Sequence, residues 1–260
     1  MIDIMEKFDG VYNFRDLGGL ETENGQRMRN GVLFRSDELS RLSPRDIAKI
    51  NELDIKMICD LRTASEQKSK PSRIKANSGI QLVHVSINDK SWEITHMDFF
   101  KFMMSKSSSI DFEVIMKDMY QYMAFDCQNE IKRMFELLAN EKNLPALIHC
   151  TGGKDRTGFI SSLLQMSVGV PYEAVTKQYL HSNELIGPRM KKMENTLKWI
   201  TLFRLTPEKL KPVLEVRQEY LDHAYSKIFA KYDTIHDYLR EECHISDETL
   251  HNVKEALIED

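Results

Sequence analysis

One decade of this 260-residue chain combines a cysteine, two glycines and an arginine: His149-Cys150-Thr151-Gly152-Gly153-Lys154-Asp155-Arg156-Thr157-Gly158. A thiolate is a strong nucleophile, and its pKa falls where positive charge or a helix N-terminus is near. Gly152 and Gly153 allow the backbone to curl until successive N–H groups point inward. Such a nest, placed where a helix begins, is an anion site of phosphate size. Arg156, six positions after the cysteine, adds a planar fork matched to two phosphoryl oxygens. Nucleophile, cradle and clamp together specify covalent phosphoryl transfer.

Other glycine-rich loops fit less well. A nucleotide-binding P-loop needs Gly where Ile148 stands and Ser or Thr where Asp155 stands. A rhodanese-like sulfur-transfer loop gives no reason for Asp155-Arg156-Thr157-Gly158. A buried cysteine in an ordinary turn would explain Cys150 alone, not the residues in register with it.

The ten residues resemble the phosphate loop of the atypical bacterial tyrosine phosphatases, a family with dual-specificity and phosphoinositide-hydrolysing members. The resemblance extends to Asn13-Phe14-Arg15-Asp16-Leu17-Gly18-Gly19, Phe34-Arg35-Ser36-Asp37 and Asp60-Leu61-Arg62, and covers most of residues 11–260. It implies a cysteine-phosphatase-like domain, phosphotyrosine protein or phosphoinositide substrates, and positions for Arg15 and Arg35 near the phosphate site. Without it, both arginines would read equally well as solvated surface residues. Some relatives carry a mobile helical lid, which would fall at 187–211 here.

Roles follow from the chemistry. Cys150 attacks phosphorus, and the amides of Thr151, Gly152 and Gly153 join Arg156 in holding the equatorial oxygens. Thr157 is placed to donate its hydroxyl to the Cys150 sulfur. His149 is expected to order the loop, and Lys154 to add charge at its rim. The general acid stays open between two aspartates. The resemblance favours Asp155, since relatives with this loop use that residue, although Lys154 and Arg156 beside it favour its charged form. Asp60, with Arg62, ends an apolar run whose carboxyl end should open onto the same crevice. Asp60 is alternatively a structural partner of Arg156. A phosphate-recognising module without turnover is the rival class, disfavoured because every catalytic position holds a competent residue.

The elements that position these groups can be read in outline. Ala146-Leu147-Ile148 is a short buried strand, and the pattern Ile160, Leu163, Leu164, Ser167 is a helix ended by Gly169. Ile55–Cys59 and Val83–Ile87 are further strands, and His84 falls on a polar face. Asn24-Gly25 and Asn30-Gly31 are hairpin turns within 10–36. Ser43-Pro44-Arg45-Asp46 caps a helix. Residues 91–140, rich in methionine and aromatics, read as two helices of adaptable core packing around Ser105–Ser109. Gly187-Pro188 breaks a helix ahead of a basic stretch containing Arg189, Lys191, Lys192, Lys198 and Arg204. One long apolar face runs from Pro212 to Ile228, and Ser246 caps a last helix.

The expected fold is therefore α/β: a central, mostly parallel sheet flanked by helices, with an α-helical elaboration, as one domain over 1–260. A net charge of −4 argues against a nucleic-acid partner. No apolar run is long enough to span a bilayer. The first ten residues lack a signal-peptide pattern, and four unpaired cysteines suit reducing surroundings, so a cytoplasmic location is expected. No metal-ligand spacing appears, and no cofactor is implied.

Overall fold

The computed structural model describes residues 8–75, 78–87, 111–200 and 206–259. Within them the chain forms strands β1 (Arg15–Asp16), β2 (Arg27–Met28), β3 (Leu33–Ser36), β4 (Met57–Asp60), β5 (Gln81–His84), β6 (Ala146–His149) and β7 (Ile258–Glu259). Five of these make one sheet in the order β1-β3-β6-β4-β5, antiparallel only at β1, while β2 and β7 pair separately. β6 is central, between β3 and β4, and Ser36 and Asp60 both lie opposite His149. That register brings the carboxyl ends of three parallel strands to one level, so the three following loops share a crevice.

Strand alternation builds the two layers. Leu33, Met57, Cys59, Ala146, Ile148 and Cys150 face the larger core, whereas Phe34, Ile58 and Leu147 face the smaller one. The smaller core is closed by α1 (Pro44–Glu52), whose Ser43/Asp46 capping box forms as the sequence predicts. A second capped helix, α2 (Ala64–Ser69), follows β4. The larger core receives α3 (Phe112–Phe125), α4 (Gln128–Leu138) and α5 (Arg156–Ser167). α5 is buried on every side from Thr157 to Gln165 rather than along one stripe. Gly169, at φ +91°, turns the chain after it.

α6 (Tyr172–Leu180) leads into α7 (Ser182–Ile200), which runs unbroken through Gly187-Pro188. The expected break there is thus corrected: missing one N–H costs a single bond, and Ile186 and Met190 dock on Phe112 of α3. The apolar face expected to run from Pro212 to Ile228 is divided between two helices. Pro212 lies within α8 (Pro207–Leu214), and a turn separates it from α9 (Gln218–Phe229). Ser246 caps α10 (Asp247–Leu257) as expected. The methionine- and phenylalanine-rich stretch up to Ile110, with its serine link, lies outside the described residues, as does Arg204 of the basic stretch. Among the described residues, no helix is long and apolar enough to cross a membrane.

Candidate active site

The loop between β6 and α5 is shaped from below. Gly153 adopts φ +61°, and a Cβ there would sit 2.1 Å from the Ser36 carbonyl oxygen, so only glycine fits. Its carbonyl oxygen accepts from Arg35 Nη2 at 2.6 Å and from Asn13 Nδ2 at 2.8 Å. Asn13 also donates to the Gly152 carbonyl at 3.3 Å. With those carbonyls held from outside, the amides are free to turn inward. The Gly153 N–H donates to Cys150 Sγ at 3.2 Å.

Two arginines lie within electrostatic reach of the sulfur, since Cys150 favours the charged forms of both Arg35 and Arg156. Burial pulls Arg35 down to about 10, which leaves it a cation at neutral pH. Arg156 sits at the start of α5, and two of its five donors go to Glu66. Nη1 and Nη2 reach Glu66 Oε2 and Oε1 at 2.7 and 2.8 Å. Burial raises Glu66, but the bonds from Arg156, Thr151 and the Thr63 amide outweigh it and bring the carboxyl to about 2. Glu66 also closes the capping box of α2 with Thr63, so the helix cap and the arginine's orientation share one side chain. The Thr151 hydroxyl donates to the same carboxylate.

His149 is buried, and Asp60 Oδ2 lies 3.7 Å from its Nε2. Burial pulls it down to about 4 against the pull of Asp60, so it is neutral in the ordinary range. Asp60 forms a fork-to-fork pair with Arg62, at 2.9 Å to Nε and 2.7 Å to Nη2. Burial raises Asp60, but Arg62 and His149 together hold it below its ordinary value. Arg62 spends its remaining nitrogen on the Lys70 carbonyl at 2.8 Å, and the His84 ring bonds the Arg62 carbonyl. Asp60 and Arg62 are thus committed to each other, and Arg156 is held by Glu66 instead of Asp60.

Several other expected placements are revised. Arg15 bonds Asn13, Ser182 Oγ at 2.9 Å and the Gln178 carbonyl at 3.0 Å, so it supports the loop through Asn13 instead of reaching it. Thr157 is buried, and its hydroxyl has no hydrogen-bond partner, so the expected bond to Cys150 is not formed. Lys154 is only 5% exposed; it is not at the rim but pairs with Asp155 Oδ2 at 2.7 Å. Asp155 Oδ1 accepts from the Tyr120 hydroxyl at 3.2 Å. Arg189 points inward from α7, pairing with Asp37 and, at 2.7 Å, with Glu38. It also donates to the Thr151 carbonyl at 3.0 Å. Burial raises Asp37, partly offset by Arg189 and the Tyr12 and Asn13 amides.

The loop thus gathers Cys150, Arg156, Asp155, Thr151 and the Gly153 amide, while Glu66, Asn13, Arg35 and Arg189 brace it from four other elements. Sequence reasoning did not find Glu66, although Thr63-x-x-Glu66 is a readable capping box directly after Asp60-Leu61-Arg62. Tyr120 had no signal, being one aromatic among many in a helical stretch.

A mostly parallel sheet carrying a cysteine and arginine in one phosphate-sized loop defines a cysteine-dependent phosphatase. Residues 6–259 match the tyrosine phosphatase family, and the chain belongs to that family. It is 28% identical to the triple specificity protein phosphatase PtpB of Mycobacterium tuberculosis, over 98% of this chain and 99% of that one. A Cupriavidus necator protein, provisionally named a tyrosine-protein phosphatase, is 29% identical over 90% of this chain and 82% of its own. Among solved structures, the core catalytic domain of the PP-IP phosphatase SIW14 from S. cerevisiae is similar at 15% identity and a TM-score of 0.34. The match covers 82% of this chain and 94% of that one.

Proposed function

We propose that the chain hydrolyses phosphotyrosine in proteins or peptides through a cysteinyl-phosphate intermediate. The observation that carries this reading is the Gly153 amide on the Cys150 sulfur inside a loop that Arg156 closes. Attack forms the S–P bond as the P–O bond to the leaving group breaks, and Asp155 supplies the proton that the departing oxygen needs. Water then attacks phosphorus, its proton passes to Asp155, and the thiolate leaves with inorganic phosphate as product. Arg156 and the inward amides stabilise the equatorial oxygens in both halves. Asp60, locked to Arg62, is the weaker candidate for the acid.

Phosphoinositide is the second substrate class. Arg189, one of the cations that would favour a polyphosphorylated headgroup, is committed to Asp37 and Glu38, so phosphotyrosine stands first. The first turns of α7 serve as a cover for the loop: Ile186 approaches Gly152, and Arg189 reaches the Thr151 carbonyl at 3.0 Å. The reading is tested with wild type and Cys150→Ser on phosphotyrosine peptides and phosphoinositide vesicles. The variant should lose turnover entirely while still binding vanadate. Residual turnover above a few per cent of wild type defeats the covalent mechanism, and faster wild-type turnover of the lipid reverses the substrate order.

A further inference from the structure

Behind Asp155 lies a hydrogen-bonded chain of two tyrosines that the catalytic steps above do not use. The Tyr120 hydroxyl, from α3, is 3.2 Å from Asp155 Oδ1 and 2.6 Å from the Tyr179 hydroxyl of α6. An ionised carboxylate has only acceptors, so Tyr120 must donate to Asp155 and must accept from Tyr179. Burial pushes both phenols well above their ordinary range, so both remain donors at any pH the enzyme would meet.

The two tyrosines are also rigidly placed. Tyr120 is fully buried, with Phe159 and Tyr220 rings at 6.3 and 5.7 Å. Tyr179 meets it edge-on and lies so close over Gly158 that a Cβ there would come within 2.8 Å of the ring. The partner of the other carboxylate oxygen is of a different kind. Lys154, itself buried, holds Oδ2 at the end of a four-carbon stem, with the Glu215 carbonyl 3.5 Å from its Nζ. One oxygen is pinned by rings locked in the core, and the other by a stem with a second acceptor to turn to.

We propose that Tyr120, held by Tyr179, is a positioning residue that fixes Asp155 so that Oδ2 is the oxygen that gives and takes the proton. In the first half-reaction the Oδ2–H bond breaks as the proton moves to the departing oxygen, leaving the carboxylate that Tyr120 is oriented to receive. In the second, a water proton returns to Oδ2 while Oδ1 keeps the Tyr120 bond throughout. Proton delivery then requires Lys154 to leave Oδ2, whereas the tyrosines stay. The inference rests on Asp155 being the general acid, and its test separates the two.

The experiment compares wild type, Asp155→Asn, Tyr120→Phe and Tyr179→Phe on phenyl phosphate and 4-nitrophenyl phosphate, with vanadate affinity measured alongside. A nitrophenolate leaves without a proton, so a fault in the acid shows only on phenyl phosphate. Because kcat/KM covers only the steps up to departure of the leaving group, it isolates the acid from the later water step that both esters share. Loss of the acid in Asp155→Asn should lower kcat/KM on phenyl phosphate by ~10²-fold or more and spare that of the nitrophenyl ester. Tyr120→Phe should lower kcat/KM on phenyl phosphate by about tenfold, since the acid is present but misaligned. Vanadate affinity and kcat/KM on the nitrophenyl ester should stay within about twofold of wild type. Tyr179→Phe should show the same selectivity at smaller size, and it carries the test should Tyr120→Phe fold poorly. If Asp155→Asn is selective and neither tyrosine variant is, the inference alone fails. If Asp155→Asn lowers kcat/KM equally on both esters, the acid assignment fails and takes the inference with it. Equal losses on both esters in Tyr120→Phe would mean a packing role and overturn the proposal.

Discussion

Arg156 carries the charge that a transferring phosphoryl group needs, but its direction comes from Glu66. Two parallel bonds between planar groups fix an angle that one point charge cannot. Glu66→Gln keeps a residue able to complete the α2 cap, since glutamine also serves at that position. It removes the charge that holds the fork. Misalignment of a clamp by a fraction of an ångström should lower kcat/KM toward ~10²-fold on phosphotyrosine peptides. Circular dichroism should show α2 and the rest of the fold intact. With Glu66 brought to about 2, its ionisation supports the fold above the ordinary glutamate range and is lost only as pH falls through that value. The Arg156 pair is therefore not what fails first in mild acid.

At the scale of elements, α7 is held by two different kinds of contact on neighbouring residues. Ile186 and Met190, one turn apart, pack on α3 and α8, while Arg189 between them enters the crevice. Its guanidinium meets Asp37, Glu38 and the Thr151 carbonyl, so one side chain ties the cover to both the β3 loop and the phosphate loop. Asp37 is wholly buried, and losing its cation leaves a charge with two amides for company. Arg189→Met should cost about 3 kcal/mol of stability in denaturant unfolding, within the range for breaking a buried pair. Hydrogen exchange should rise first in α7. Arg189→Lys should not restore either property, because a point charge cannot serve three acceptors in a plane. Full rescue by lysine would show that charge alone matters there.

For the molecule as a whole, the central position of β6 places a neutral histidine at the heart of its pH response. His149 is pulled down to about 4 by burial, while an unfolded histidine titrates near ~6.5. Below that value the unfolded chain binds a proton that the native chain refuses, so stability is full above it and declines as pH falls toward about 4. Asp37, raised by burial, works in the opposite sense, but its window lies nearer the carboxylate range. Between pH 7 and pH 5, wild type should lose about 2 kcal/mol more than His149→Asn, by linkage arithmetic. Parallel pH–stability curves for the two proteins would place the sensitive group elsewhere.

The phosphate loop was legible because its function is local. A strand, a tight turn and a helix start lie within a dozen consecutive residues, so the loop's shape needed few distant partners to be read. The capping box at Ser43 and the cap at Ser246 were readable for the same reason, since capping is decided within a few residues, whereas the strand expected at Val83–Ile87 begins two residues earlier, at Gln81–His84. What tertiary structure alone decided is which charge meets which. By type alone Asp60 could hold Arg156 as well as Glu66 does, and Arg62 or Arg15 could brace the loop carbonyls as well as Arg35, but the register that sets Ser36 and Asp60 opposite His149 sends them to different partners. Lys154 turned from rim to interior, where its Nζ lies between Asp155 and the Glu215 carbonyl of a segment 61 residues away. The break expected at Gly187-Pro188 was cancelled by a hydrophobic stripe whose partners come from two other helices. Tyr120 lies 35 residues from Asp155 and reaches it only because α3 packs behind the loop. Residue type states what a side chain is able to do, and long-range packing settles what is left within its reach.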